Sequence, residues 1–186
     1  MLEKPTDFEL VKRFIGGDEA SFNEIARRYQ QKIYWHARRM IGNHLDADEV
    51  VQEVLLVLYD KLKDFKFQSS LYTWVYRITA TRSINYLNKL KIKRFFSFDD
   101  KQREEIRYKE DIVTTIEQKE KLAHLDKVLQ KLPSKQREIF VMRNFDGLSY
   151  EEISEITGKS VGGLKANYFH AFAKINELMS KTYGKD

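Results

Sequence analysis

Residues 71–98 contain the side chains of this sequence that are most likely to have a function. Their types suit binding to a polyanion and do not suit catalysis. The stretch has six basic residues and no acidic one, in a chain of 186 residues with 28 acids. Aromatic side chains lie between the cations. Cations that follow a phosphate backbone, beside aromatic faces on which bases stack at roughly 1–3 kcal/mol each, are typical of single-stranded nucleic-acid binding. The residues are Arg77, Arg82, Lys89, Lys91, Lys93 and Arg94, with Tyr72, Trp74, Tyr76 and Tyr86.

Two structural explanations of this stretch stay open. Trp74, Val75 and Ile78 have helical spacing, and residues in such a pattern more often pack in a core than stack on a base. The basic run 89–94 could also be a solvated helix end, which the helix dipole favours. Six cations without a counter-charge in the stretch exceed what capping needs, so the sequence favours a nucleic-acid surface.

Residues 133–175 predict a helix-turn-helix. Ser149 and Glu152 have the spacing of a capping box, and Ser160 can cap the helix that follows a turn at Gly158. That second helix has an apolar face completed by Ala171 or Phe172, and a polar, basic face that suits a DNA major groove. An ordinary helical hairpin would have the same spacing. The residues assigned to DNA contact are Lys159, Ser160, Gly162, Gly163, Lys165, Asn167, Phe169, His170 and Lys174.

The two adjacent glycines at the start of this helix have two explanations. First-turn positions tolerate glycine, although each glycine costs a helix about 1 kcal/mol relative to alanine. Alternatively, the missing side chains let the helix start approach a phosphate, which free N–H groups and the helix dipole favour.

The remaining sequence predicts an all-α chain of two small helical domains. Capping and glycine signals divide residues 7–94 into four helices, the third capped by Asp46 and the fourth running from Leu71 to about Arg94. In residues 95–118 the apolar pattern loosens and acids alternate with bases, which predicts a flexible charged linker. Residues 119–181 form the second domain, which contains the helix-turn-helix.

The sequence gives little support to an enzymatic function. The chain has no cysteine, which excludes disulfides and thiolate metal sites and suits a reducing cytoplasm. His36, His44, His124 and His170 lack metal-ligand spacing, and each is expected to be exposed or half-buried. We predict no catalytic residue, metal site or cofactor. No apolar run approaches a membrane span, so we expect a cytoplasmic protein without membrane insertion. A formal net charge of +5 favours a polyanionic partner.

Three further motifs occur in a fixed order along the chain. They are D-A-D-E-V-V-Q-E-V at 46–54, W-V-Y-R-I at 74–78, and L-P-S-K-Q-R-E-I-F with G-L-S-Y-E-E-I within 132–153. Together they resemble the sigma-70 family of bacterial RNA polymerase sigma factors, and more narrowly its two-domain extracytoplasmic-function (ECF) group. The resemblance implies that residues 7–94 bind core polymerase and melt the promoter, and that residues 119–181 recognise the minus-thirty-five element.

The resemblance also implies where the partners bind: RNA polymerase core enzyme, and promoter DNA as duplex and as melted non-template strand. Control by an anti-sigma factor is left open. The loop 64–70 would receive a flipped base, although aromatic residues such as Phe65 and Phe67 more often anchor a loop to the core. The core-binding residues would be Asp48, Glu49, Gln52 and Glu53. The minus-ten residues would be Phe65, Lys66, Phe67, Gln68, Ser69, Trp74, Arg77, Arg82, Asn85, Lys89 and Lys93.

Both DNA-binding helices depart from the family pattern. In the melting helix, Ile78-Thr79-Ala80-Thr81 replaces the usual I-A-R-N. In the recognition helix, Gly163 replaces a threonine, and Asn167, His170 and Phe172 replace arginines. Fewer cations predict weak DNA affinity for the isolated domain. The alternative function is a helix-turn-helix regulator with an N-terminal sensing or dimerisation domain, which would bind duplex tightly without polymerase. A purely structural helical adaptor would leave both basic faces unexplained.

Overall fold

Helices make up the described structure. The computed structural model describes residues 4–96 and 116–183, and within these ranges it contains no strand, which confirms the all-α prediction. Most of the predicted linker, residues 97–115, lies outside the described residues. The helices are α1 (Asp7–Ile15), α2 (Glu19–Ile41), α3 (His44–Lys61), α4 (Leu71–Phe96), α5 (Ile116–Leu129), α6 (Ser134–Asn144), α7 (Tyr150–Thr157) and α8 (Val161–Tyr183), with a 3-10 turn at Leu62–Asp64.

Local capping signals place most helix starts where the sequence predicts them. The hydroxyls of Thr6 and Ser149 each accept the backbone N–H of the residue three positions later, and Glu9 and Glu152 accept back from the cap backbone. Hydrogen bonds from the Ser149 backbone and hydroxyl hold the pKa of Glu152 below its usual value. Asp18 caps α2 by accepting from the N–H of Ala20. These four-residue interactions define helix starts without help from the rest of the fold.

The predicted cap of α3 is wrong. α3 begins at His44, because Asn43 is extended and its side-chain oxygen accepts the N–H of Asp46 at 3.1 Å. Asp46 therefore lies in the first turn of the helix, where the dipole favours a carboxylate. Gly42 ends α2 in a left-handed conformation, so two residues alone separate α2 from α3.

The first four helices pack around α2, which contacts α1, α3 and α4. The predicted inward stripe of α2 is buried at Ile25, Ile33 and Met40, and α3 adds Val54 and Leu58. This packing places the outer face of α3 and the loop before α4 on the surface. The sequence analysis assigns core polymerase to the α3 face and promoter DNA to the loop.

The helix-turn-helix half packs directly against the first four helices. α6 contacts α2, and both α6 and α7 contact α4. Tyr76 and Ala80 of α4 are buried in one apolar cluster with Ile139, Met142 and Ile153 of the second half. A second cluster also combines residues of both halves. In this arrangement the two predicted domains share their apolar cores.

A buried arginine joins the two halves at the end of α2. Arg137 of α6 donates to the backbone carbonyl of Met40 and to the side-chain oxygen of Gln130. Gln130 in turn donates from Nε2 to the carbonyl of Arg39 at 2.9 Å. These bonds satisfy carbonyls that have no partner within their own helix. Gly42 lies against this junction, since an added Cβ would stand 2.6 Å from Cδ of Gln130.

Substitution of Gly42 by alanine is expected to destabilise the protein more than the same change at Gly158. Both glycines are left-handed, with φ of 85° and 70°, which costs an L-residue about 1–2 kcal/mol. At Gly158 nothing lies within 4 Å of an added Cβ, whereas Gly42→Ala must also displace Gln130 from its two hydrogen bonds. Urea unfolding would compare the two free energies; equal losses would contradict the described junction.

Candidate nucleic-acid interface

The loop that precedes α4 has an unusual backbone. Phe67 has a φ of 56°, and among the described residues it is the one residue other than glycine with a positive φ. Such strained positions persist where surrounding contacts hold them, often at functional sites. The Ser70 hydroxyl accepts the N–H of Thr73 at 3.0 Å and so caps α4. The loop is therefore held at its end, next to the start of α4.

One side of this loop encloses a cavity of about 430 Å³, called here the loop cavity. The half-buried rings of Phe65 and Trp74 lie 5.1 Å apart, centroid to centroid, in its wall. The cavity brings together aromatic faces, hydrogen-bonding groups and cations, which is the combination that holds an extruded base. Six predicted minus-ten residues line it, namely Phe65, Lys66, Gln68, Ser69, Trp74 and Arg77, together with Asp64 and Glu155.

Other predicted minus-ten residues lie elsewhere. Phe67 does not line the loop cavity but packs against Phe8 of α1, with a centroid distance of 4.9 Å. Arg82 and Lys89 face Glu53 of α3 at 3.8 and 3.7 Å, so the counter-charge missing from the sequence of α4 comes from a neighbouring helix. The two remaining residues are Asn85, in a cleft between α4 and the second half, and Lys93, exposed further along α4.

The start of α8 is built as the sequence predicts. The Ser160 hydroxyl accepts the N–H of Gly163 at 3.3 Å and caps the helix. A Cβ added at Gly162 would meet open space, whereas one at Gly163 would lie 3.2 Å from the Ser160 hydroxyl. Gly163 therefore leaves room for the cap, a third explanation that the sequence did not suggest. Ala171 is buried and Phe172 is exposed, which decides the apolar face of α8.

The predicted minus-thirty-five contacts differ in availability. Phe169 is 68% exposed, and Lys165 and His170 are also exposed. The Asn167 amide donates one of its two N–H groups to the carbonyl of Gly163 at 2.8 Å. Two predicted cations are engaged in ion pairs, Lys159 with Glu138 at 2.9 Å and Lys174 with Glu177 at 2.8 Å.

The outer face of α3 contains apolar residues that the sequence analysis missed. Leu45 and Leu56 are 68% and 67% exposed, and they lie seven residues before and four residues after exposed Gln52, hence on the same face of the helix. Glu49 is also exposed on α3, whereas Glu53 turns toward α4. The missed signal was the position of both leucines outside the inward stripe of α3.

A buried polar pair fastens the second half to α2. His36 donates from Nδ1 to a carboxylate oxygen of Asp146 at 2.7 Å, and both side chains are at most 4% exposed. The expectation that His36 is exposed or half-buried is wrong, because α6 and the following turn cover this part of α2. Burial raises the pKa of Tyr72, so its hydroxyl stays protonated and donates to the Asp146 carbonyl at 2.7 Å.

A second polar contact brings α7 to the loop cavity. Arg77 of α4 donates from Nη2 to the backbone carbonyl of Glu155 at 2.8 Å, and the Glu155 carboxylate lies 3.9 Å from the same guanidinium. Glu155 thereby places a carboxylate in the cavity wall. A nucleic acid entering the cavity would meet this negative charge.

Two family models and several known proteins match the chain. Residues 25–92 match the family model for Sigma-70 region 2, and residues 122–175 match that for Sigma-70, region 4. The ECF RNA polymerase sigma-E factor of Escherichia coli (strain K12) is 31% identical over 188 residues, which cover 95% of each chain. That of Haemophilus influenzae is 30% identical over 178 residues, covering 92% of this chain and 94% of the relative. The chain belongs to the ECF group of the sigma-70 family.

This sigma factor also shares its fold with solved relatives. A sigma factor from Bartonella quintana, solved in complex with an anti-sigma factor, has a TM-score of 0.73 at 21% identity, covering 86% of this chain and 96% of that one. CnrH, solved with the cytosolic domain of CnrY, has a TM-score of 0.67 at 20% identity, covering 93% and 96%. The chain is thus an RNA polymerase sigma factor, and the regulator with a sensing domain is not favoured.

Within residues 4–96 and 116–183, no group of three or more histidine, aspartate or glutamate residues could hold a metal ion. None of the described helices is long and apolar enough to cross a membrane.

Replacement of Asp146 by alanine is expected to lower the free energy of unfolding by about 1–3 kcal/mol, because the buried His36 loses its hydrogen-bond acceptor. Asp146→Asn, which keeps an acceptor oxygen, should recover part of that loss. The matched control is Asp48→Ala, which removes an exposed histidine–aspartate pair at 3.5 Å and should change stability by less than about 1 kcal/mol. Urea unfolding measures the free energy of unfolding of all three variants. Equal losses in the two alanine variants would show that the buried pair stabilises the protein no more than the exposed pair does.

Proposed function

We propose that this sigma factor binds its partners through three separate surfaces. The outer face of α3 binds core polymerase, the loop cavity and α4 take the melted non-template strand of the minus-ten element, and α8 reads the minus-thirty-five duplex. The loop cavity is the observation that carries the proposal, because six residues assigned to DNA from sequence line it. The protein performs no covalent chemistry and acts with the polymerase in the cytoplasm.

Promoter opening requires that an extruded base be held. Extrusion costs a few kcal/mol, and stacking on an aromatic face returns roughly 1–3 kcal/mol per base. Phe65 and Trp74 provide such faces, and Gln68 provides hydrogen-bonding groups that can distinguish one base edge from another. Lys66 and Arg77 place positive charge beside the strand. The loop cavity can therefore offset much of the cost of opening one base pair.

The α3 face has the composition of a protein interface. Leu45 and Leu56 provide exposed apolar surface, while Glu49 and Gln52 provide polar groups beside it. An apolar centre with a polar rim is the usual anatomy of such an interface. Glu53 is not part of this proposed interface, because its carboxylate forms ion pairs with Arg82 and Lys89 that join α3 to α4. We therefore propose Leu45, Glu49, Gln52 and Leu56 as the central contacts with core polymerase, with Asp48 at the edge.

The proposed duplex contacts of α8 centre on Phe169. Its exposed ring can meet a thymine methyl group, and Asn167 can pair with an adenine edge if its amide leaves the Gly163 carbonyl. With Lys159 and Lys174 already paired to carboxylates, few cations remain for phosphates. We expect weak binding by α8 alone. On the polymerase both DNA contacts become intramolecular, with an effective concentration of about millimolar for short tethers.

Binding of the melted strand requires α7 to move away from α4. In the arrangement described above, Arg77 is bonded to Glu155 and the Glu155 carboxylate lies in the loop cavity. Core polymerase would hold the two halves apart at promoter spacing. Since two relatives of the same fold were solved with an anti-sigma factor or the cytosolic domain of CnrY, we expect control of this chain by an anti-sigma protein as well.

The loop cavity is tested by Lys66→Gln in holoenzyme formed with bacterial core polymerase. The variant should form less open complex on a cognate promoter and show a weaker dependence on salt, because one phosphate contact is lost. Lys63→Gln is the matched control, since it removes the same charge three residues earlier and outside the cavity lining. Permanganate reactivity of unpaired thymines measures opening. Identical footprints for both variants would reject the proposed role of the loop cavity in promoter opening. Absence of opening by the wild-type holoenzyme would reject the proposed function.

The α3 face is tested by Leu56→Ser, alone and combined with Gln52→Ala and Glu49→Lys. Leu56→Ser should weaken binding to core polymerase by about fivefold or more, as expected for a central interface residue. Ile92→Ser is the control, because Ile92 is 59% exposed but belongs to α4. Competition for core polymerase in a pull-down compares the variants. Undiminished competition by the triple variant would rule out this face.

A further inference from the structure

The turn between α6 and α7 packs against the first four helices. It consists of residues 145–149 and is called here the docking turn. The N–H of Leu148 donates to the carbonyl of Met142 at 3.1 Å, and Gly147 has a left-handed backbone with a φ of 72°. A helix end of this kind forms from local hydrogen bonds alone. The end of α6 therefore determines the shape of the docking turn without help from the first half of the molecule.

The first residue of the docking turn contacts a cation of α2. The guanidinium carbon of Arg39 lies 4.1 Å from the ring centroid of Phe145 and 5.3 Å from that of Trp35. Both distances are within the range of a cation–π interaction, which gains strength when the groups are shielded from water. All three side chains are half-buried. The first half thus provides a site for an aromatic ring of the docking turn.

The second residue of the docking turn makes two hydrogen bonds to the first half. Nδ1 of His36, on α2, donates to the carboxylate of Asp146 at 2.7 Å. The hydroxyl of Tyr72, on α4, donates to the backbone carbonyl of Asp146 at 2.7 Å. Because the side chains of His36 and Asp146 are buried, loss of one partner leaves the other unsatisfied. The site therefore binds an aromatic residue followed by an acceptor oxygen, and it joins the turn to both α2 and α4.

Docking of this turn coincides with the placement of α7 over the surface of α4 that is proposed to bind DNA. Arg77 donates to the carbonyl of Glu155 at 2.8 Å, and the Glu155 carboxylate enters the wall of the loop cavity. Tyr76 and Ala80 of α4 are buried against the second half. A phosphate and the carboxylate of Glu155 would compete for the same guanidinium. The docked arrangement therefore obstructs the loop cavity and occupies a cation of the proposed strand path.

We propose that the docking turn is an autoinhibitory contact of the free protein. With the turn docked, the closed arrangement binds melted minus-ten DNA weakly. With the turn released, the loop cavity and Arg77 become available to the strand. The inference rests on the proposed function and adds to it the element that keeps the free chain closed. The residues that form the contact are Phe145 and Asp146 of the docking turn, and Trp35, His36, Arg39 and Tyr72 of the site that receives them.

The size of the effect follows from the populations of the two arrangements. The apparent affinity for a ligand falls in proportion to the fraction of the protein that is competent to bind it. Loss of one buried hydrogen bond is expected to change the ratio of closed to open protein by about fivefold or more. The halves also share an apolar cluster that includes Tyr76 and Ile139. Removal of one polar contact therefore shifts the balance toward the open arrangement and leaves some closed protein.

The test measures binding of a fluorescent single-stranded minus-ten oligonucleotide to the free full-length protein and to its holoenzyme with core polymerase. Free Asp146→Ala should bind the oligonucleotide at least about fivefold more tightly than the free wild type, because more of the variant is open. In holoenzyme, where core polymerase already holds the halves apart, the two proteins should bind alike. Tyr72→Phe keeps the ring and removes only the hydroxyl that donates to the docking turn. It should also raise the affinity of the free protein, and it replaces Asp146→Ala in the test if that variant does not fold.

Two controls separate release of the turn from a change of charge. Asp146→Asn removes the same charge but keeps an acceptor oxygen for His36, so its gain in affinity should be smaller. Glu24→Ala also removes one carboxylate, whose ion pairs with Arg27 and Arg28 lie within α2, and it should leave the affinity unchanged. Equal gains for Asp146→Ala and either control would attribute the effect to charge and overturn the proposal. A gain that persists in holoenzyme would do the same.

Energy transfer between two dyes reports the distance between the halves. Because the chain has no cysteine, Arg27→Cys on α2 and Asn176→Cys on α8 can each carry one dye, and both positions are exposed. Asp146→Ala and Tyr72→Phe should lower the transfer in the free protein, since a larger fraction is open. Unchanged transfer in both variants would overturn the proposal. Lower transfer without tighter binding of the oligonucleotide would overturn it as well.

Comparison of the free protein with holoenzyme separates this inference from the proposed function. If wild-type holoenzyme fails to bind the oligonucleotide, the proposed function fails. If the holoenzyme binds, and free Asp146→Ala and Tyr72→Phe bind no better than the free wild type, the autoinhibitory contact alone is rejected.

Discussion

The burial of α4 on two of its sides is the constraint on which the rest of the structure depends. One side packs in the core of the first four helices through Leu71, Val75 and Leu87. Another side places Tyr76 and Ala80 in the core of the helix-turn-helix half. The remaining side is left for polar and cationic residues. A helix buried on two sides has a fixed rotation, and this rotation decides which residues reach the loop cavity.

The charge of α4 follows from the same constraint. Its sequence contains no acidic residue, yet carboxylates from α3 and α7 approach it, Glu53 at Arg82 and Lys89 and Glu155 at Arg77. These pairs are partly exposed, so each contributes little to stability. Their positions matter more, because a nucleic acid that approaches α4 competes with Glu155 for a cation that the protein has already partnered. If the single strand binds as proposed, it and the helix-turn-helix half are alternative occupants of one surface.

Among the described residues, exposed large apolar side chains include the leucines of α3, the rings of Phe8 and Phe67, and Phe169 of α8. Large apolar side chains at such exposure, grouped beside polar residues, are typical of surfaces that bind a partner. The leucines of α3 lie where core polymerase is proposed to bind, and Phe169 lies where the duplex is proposed to bind. These two surfaces are on separate helices, so the proposed contacts with polymerase and duplex do not compete for the same residues.

The sequence by itself determined the helices, their caps and the family. Capping boxes, the acid-free stretch and the three motifs are local patterns, and interactions over three or four residues suffice to form them. The start of α3 was misplaced at Asp46 because Asn43 is an equally good cap three residues earlier.

Only the tertiary structure decided which side chains meet. His36 and Asp146 are separated by 110 positions, and nothing near either residue indicates their pairing. Likewise, the rotation of α3 directs Glu53 toward α4 and exposes Leu56, and the left-handed backbone of Phe67 turns its ring away from the loop cavity. The physical reason is that periodicity identifies a helix and its buried stripe, whereas contacts between helices depend on how several stripes pack at once. A cavity built from three separate segments is a property of that packing alone.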